Sequence, residues 1–114
     1  VRGRRAARGF TTAEAMVAAA LAGVAVAGLA SAAALATATL RLARDTATAV
    51  ALATDGLERV RAGEPAPVDA TPGADGRSFG RTCEADGGRG RPVRVRCAVT
   101  WSARRVTLAT EVPP

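Results

Sequence analysis

The 114-residue chain contains no histidine, no lysine and no tyrosine, and only two phenylalanines, one tryptophan, one methionine and two cysteines. Each shortage removes a class of function. Without histidine, neither a Ser-His-Asp nor a Cys-His nucleophile system can be assembled. Ser31 falls inside an apolar run, and Ser78 and Ser102 have no evident base near them in sequence. Metal ligation is disfavoured for the same reason, because the cysteines do not form a CxxC pair. Gly87-Gly88-Arg89-Gly90 is a glycine-rich turn that lacks the Lys-Ser/Thr of a phosphate loop. No enzymatic activity and no cofactor are expected. With so few aromatics, a stacking platform for single-stranded nucleic acid has no raw material.

All sixteen basic residues are arginine, and the formal net charge is +6. Such a balance invites a nucleic-acid reading, until the charge is located. Arg2, Arg4, Arg5 and Arg8 lie in the first nine residues, and without them twelve arginines face ten acids. The basicity belongs largely to the N-terminus. Val1 fits a literally translated bacterial start codon, which would make residues 1–9 a leader still attached to its precursor.

Apolar residues make up 48% of the chain, chiefly alanine. Ala15–Ala36 is a run of 22 residues without a charge. As a helix it would span about 33 Å, against a hydrocarbon layer of roughly 30 Å. Arginines precede it, the signal for a cytoplasmic N-terminus. Leu40, Ala43, Ala47, Val50, Thr54 and Leu57 recur at spacings of three and four, which extends the helix to about Ala62 with that stripe inward. Asp55 and Arg59 suit an i,i+4 pair. Gly63 is placed as a C-terminal cap, with Pro65 as a stop.

Residues 63–77 read as loop. Beyond them Val93, Val95, Cys97, Val99 and Trp101 alternate with Arg94, Arg96, Ala98 and Thr100, and Val106, Leu108, Thr110 and Val112 repeat the alternation after a turn at 102–104. This is an antiparallel hairpin. Phe79 and Cys83 mark a third strand with the same inward face. The expected fold class is α+β, a long N-terminal helix packed at its C-terminal half on a small antiparallel sheet. Its parts are a basic N-terminal stretch (1–9), which the resemblance below makes a leader, a transmembrane half of the helix (10–38), which the same resemblance makes the assembly segment, and a small head (39–114), the last comprising helix 39–62, loop 63–77 and sheet 78–112.

The most informative constellation is Gly9-Phe10-Thr11-Thr12-Ala13-Glu14, set between the arginines and the apolar run. Charge and hydropathy alone fit an ordinary signal peptide or signal anchor. Glu14 tells against that, since a carboxylate at the edge of a membrane segment is costly and usually serves a partner. Gly-Phe-Thr-x-x-Glu before an apolar helix resembles the prepilin signature of type IV pilins and type II secretion pseudopilins. The resemblance implies a pilin-like lollipop fold and cleavage by a prepilin peptidase between Gly9 and Phe10. It also implies methylation of the Phe10 amine and an assembly role for Phe10 and Glu14, the carboxylate pairing with a neighbouring subunit's N-terminus. The implied partners are other pilin or pseudopilin subunits, the peptidase, an inner-membrane assembly platform, and membrane lipid before assembly. The implied location is the bacterial inner membrane, with the head outside, and then a filament in the periplasm or on the cell surface. The tail CAVTWSARRVTLATEVPP is similar to the C-terminal hairpin of minor pilins of the PilV or I-type pseudopilin kind.

Cys83 and Cys97 form an even pair in an exported head and share the inward parity, so a disulfide is expected; a buried free pair is the alternative. Closing a loop of that length is worth roughly 3 kcal/mol in the chain-entropy model. Arg89, Arg91, Arg94, Arg96, Arg104 and Arg105 form a local basic cluster. Arg94, Arg96 and Arg105 would share the open strand face. A solvated face is the default reading, and contact with DNA in a competence pilin is an alternative. A conventionally signal-anchored binding module is a further alternative.

Overall fold

The computed structural model describes residues 9–113. One helix, α1 (Thr12–Arg61), is followed by β1 (Val68–Pro72), a single 3-10 turn (Ala74–Gly76), β2 (Ser78–Asp86), β3 (Val93–Trp101) and β4 (Arg104–Val112). The strands form one antiparallel sheet in the order β1-β2-β3-β4. The fold class is therefore α+β, as the sequence patterns indicate. The chain divides into two compact units between Leu40 and Arg41.

In the first unit α1 is apolar and alanine-rich, with a peak mean hydropathy of 2.0 and none of that stretch buried. Length and composition make it a candidate membrane anchor. Alanine favours helix here, and Ser31, Thr37 and Thr39 satisfy their hydroxyls on carbonyls one turn back.

In the second unit the last turns of α1 pack on the sheet. The helix stops in a Schellman motif: Gly63 has φ +87°, its N–H donates to Val60 O at 3.0 Å, and the Glu64 N–H donates to Arg59 O at 3.0 Å. Glycine pays little for that left-handed backbone. The expected Asp55–Arg59 pair is present at 3.0 Å, on a half-exposed surface.

The face that α1 turns to the sheet is not the expected one. Ala49, Ala53 and Gly56 are buried, with Leu52, Leu57 and Val60 packed beside them. Leu40 remains 69% exposed and Val50 39%. The expected stripe lies mostly on the far side of the helix. The reason is closeness of approach. A Cβ on Gly56 would sit 2.7 Å from Cys83 Sγ and 3.0 Å from Cys97 Sγ. Only the smallest residues let the helix rest on the sulfurs. Gly56→Ala is accordingly expected to destabilise this unit by about 1–3 kcal/mol, although alanine is the better helix former. Urea denaturation followed through Trp101 fluorescence checks this, and a midpoint that rises contradicts it.

The segment 63–77 also departs from expectation. It contains β1 and the 3-10 turn, so the sheet has four strands, not three. In β1, Asp69 lies opposite Arg81 and Thr71 opposite Phe79. The core comprises Ala49, Ala53, Phe79, Cys83, Val95, Cys97, Val99 and Trp101. The Phe79 and Trp101 rings stack obliquely with centroids 5.7 Å apart. The β3–β4 hairpin turns through Ser102 (φ 40°) and Ala103 (φ 60°), a pair of positive φ values as in two-residue loops of the I′ kind.

Candidate functional site

Two places in the chain concentrate chemistry. The first is the start of α1. Thr11 O accepts the Ala15 N–H at 3.0 Å, so Thr11 is the N-cap. The Glu14 N–H donates to Thr11 Oγ1 at 3.2 Å, and the Thr11 N–H donates to Glu14 Oε2 at 2.9 Å. This is a reciprocal capping box, which satisfies two otherwise orphan donors and places a carboxylate at the positive end of the helix. The T-x-x-E spacing of Thr11 and Glu14 is the sequence signal of such a box. Gly9 is exposed, and Phe10 is 87% exposed with its ring unpacked. Arg2, Arg4, Arg5 and Arg8 lie outside the described residues.

The arrangement has a chemical consequence. A cut between Gly9 and Phe10 would convert the Phe10 nitrogen to an amine and leave intact the Phe10–Thr11 amide, whose N–H donates to Glu14. One carboxylate offers about four lone-pair sites, so Glu14 can hold the helix start and still accept a cation.

The second place is the interface between sheet and helix in the unit beginning at Arg41. Cys83 and Cys97 are directly opposite one another on β2 and β3 and are joined by a disulfide. One turn of α1 lies over it at Gly56. Beside it Arg81 is only 3% exposed. Its Nε donates to Asp69 Oδ1 at 2.9 Å and its Nη2 to Asp69 Oδ2 at 2.5 Å. Its Nη1 donates to Asp55 Oδ2 at 2.7 Å and to Leu52 O at 3.1 Å. One guanidinium thus ties β2 to β1 and to α1. Hydrogen bonds from Arg81 hold Asp55 and Asp69 below the usual carboxylate range, against a smaller opposing effect of burial. Arg81 itself is pushed above the usual arginine value, chiefly by Asp69. Arg81 was legible in principle, since it occupies an inward position between Phe79 and Cys83 in the strand alternation.

Arg94, Arg96 and Arg105 do share the outer sheet face. That face is not uniformly basic. Arg94 pairs with Glu111 at 2.9 Å, and Glu84 stands opposite Arg96 and Asp86 opposite Arg94. Three carboxylates interleave with three guanidinium groups, so the potential that a polyanion would follow is largely cancelled. Arg77 and Asp45 form another ion pair, between the 3-10 turn's end and α1.

No family model, no curated protein and no solved structure matches the chain.

Proposed function

We propose that this chain is a structural minor subunit of a type IV pilus or type II secretion pseudopilus. In this reading a prepilin peptidase cuts it between Gly9 and Phe10, and it then assembles through its N-terminal helix. The observation that carries the reading is the placement of Gly9-Phe10-Thr11-Thr12-Ala13-Glu14. That segment is exposed and runs into the first turn of α1, whose apolar first part is unburied. The disulfide-tied sheet on the C-terminal turns of α1 suits a domain exported beyond the inner membrane. The partners are other subunits of the filament, the peptidase, the assembly platform, and lipid before assembly.

Glu14 has two jobs in this account. Inside each chain it closes the capping box with Thr11. Between chains its remaining lone pairs accept the positive amine of a neighbour, which removes the cost of a lone charge in an apolar layer. On the insertion scale that cost reaches about 2.5–3.5 kcal/mol for a charge such as Asp at the helix centre, roughly a hundredfold in population.

Glu14→Gln separates the jobs, because glutamine also closes a capping box but carries no charge. Cleavage is expected to proceed while incorporation into sheared filaments falls about a hundredfold. Incorporation at the wild-type level would remove the pairing role. Absence of the wild-type chain from filaments would remove the whole reading.

A further inference from the structure

The sheet has two unlike edges. β1 is five residues long and ends on Pro72, which has no N–H. β4 is nine residues long and proline-free, and no described residue pairs with its outer side. A long free edge is where a strand from another chain can add. Ladder parity identifies the free groups. The Cys83 N–H donates to Pro67 O at 2.9 Å, so odd-numbered residues of β2 turn their backbone toward β1. Cys83 faces Cys97, and Cys97 faces Leu108. The alternation of antiparallel pairs then turns Leu108 toward β3 and leaves the backbone of Arg105, Thr107, Ala109 and Glu111 at the open edge.

We propose that β4 is a self-pairing edge that binds β4 of a second copy of this chain, antiparallel, with Arg104–Val112 overlapping itself completely. The observation behind this is a coincidence of register, parity and charge. Full overlap centres on Leu108 and sets Thr107 opposite the second copy's Ala109. Arg105 then stands opposite the second copy's Glu111, and two-fold symmetry repeats the pair. All four residues have edge-facing backbone groups, giving about eight hydrogen bonds. Slipping by two residues in either direction loses both charge pairs. Among the described residues Arg105 makes no ion pair, and Glu111 holds only Arg94. On the inner side the half-buried Leu108 meets its own copy.

The two-fold axis of such a pair stands perpendicular to the sheet, so the Arg41–Arg61 stretches of the two helices run in opposite directions. The pairing does not depend on the anchored reading above.

Sedimentation of the full chain in detergent tests it, comparing wild type with Arg105→Glu, Glu111→Arg, the double reversal, and Thr107→Pro. Wild type is expected to dimerise, and each single reversal to weaken the dimer about tenfold. The double reversal should restore it. Thr107→Pro removes only an edge-facing N–H, so it should abolish the dimer while Trp101 fluorescence stays native. A monomeric wild type overturns the proposal. So does association that is equal in all variants, which would belong to the apolar helix, or a double reversal that fails to recover while Trp101 remains native.

Discussion

Arg81→Ala is expected to lower the stability of the unit beginning at Arg41 by roughly 2–3 kcal/mol. The side chain is 3% exposed, while Asp55 and Asp69 keep 48% and 43% of their side chains exposed. Removing a partner from a fully buried pair costs about 3–5 kcal/mol because a charge is stranded. Here water can still reach the two stranded carboxylates, which lowers the figure. Arg81→Lys should recover only part of the loss, since an ammonium cannot copy the fork that grips both oxygens of Asp69 while reaching Asp55 and Leu52. The pH dependence follows from the same bonds. Asp55 and Asp69 have lowered folded values, so their contribution is present above the ordinary carboxylate pKa of about 4. It is lost as pH falls through the depressed values. Arg81 is raised above a value that is already extreme, and its contribution disappears only in strong alkali. Wild type should therefore lose stability in acid more steeply than Arg81→Ala. Equal acid slopes would show that the network is incidental. Trp101, the single tryptophan, reports unfolding from inside the core.

Cys83→Ala combined with Cys97→Ala is expected to cost about 3 kcal/mol from loop closure alone, the estimate for this separation. Small domains depend on such cross-links because their apolar cores are limited. Two further losses act in the same direction. The sulfurs form the surface on which Gly56 rests, so their removal opens a gap beneath α1. The Arg81 side chain packs against the same place. Alanine is the appropriate substitute, since serine would bury an unpartnered hydroxyl. The variant and the reduced wild type should unfold at similar, much lower urea concentrations. An unchanged midpoint on reduction would show that the cross-link contributes nothing to this unit.

The legible and illegible parts of the chain differ for physical reasons. Period-two alternation placed Val93 to Trp101 and Val106 to Val112 correctly, because one face of β3 is buried and the matching face of β4 half-buried, and register then follows from hydrophobicity. Gly63 announced its cap through the same backbone freedom that the motif uses. β1 was hidden because V-D-A-T-P carries little apolar signal. Its inward position at Asp69 is filled by an ion pair with Arg81, visible only once β2 lies beside it. The stripe Leu40, Ala43, Ala47, Val50, Thr54 and Leu57 is not the packed face, because in this alanine-rich segment apolar residues recur at helical spacing on more than one side of the helix. Contact with the disulfide selects the smallest, and alanine or glycine at helical spacing looks like background in an alanine-rich segment. At Glu14 one residue carries both a local cap and the feature that sets the motif apart from a plain anchor. The cap is written in the T-x-x-E spacing and the second feature in the residues around it.

The central claim is the cut between Gly9 and Phe10, and intact-mass analysis of the N-terminus addresses it most directly. The chain would be expressed with and without a prepilin peptidase and recovered from membranes. The account predicts a peptidase-dependent species that begins at Phe10 with a methylated amine. A leader that stays intact in the presence of the peptidase, or a cut after the apolar run near Ala38, would contradict it.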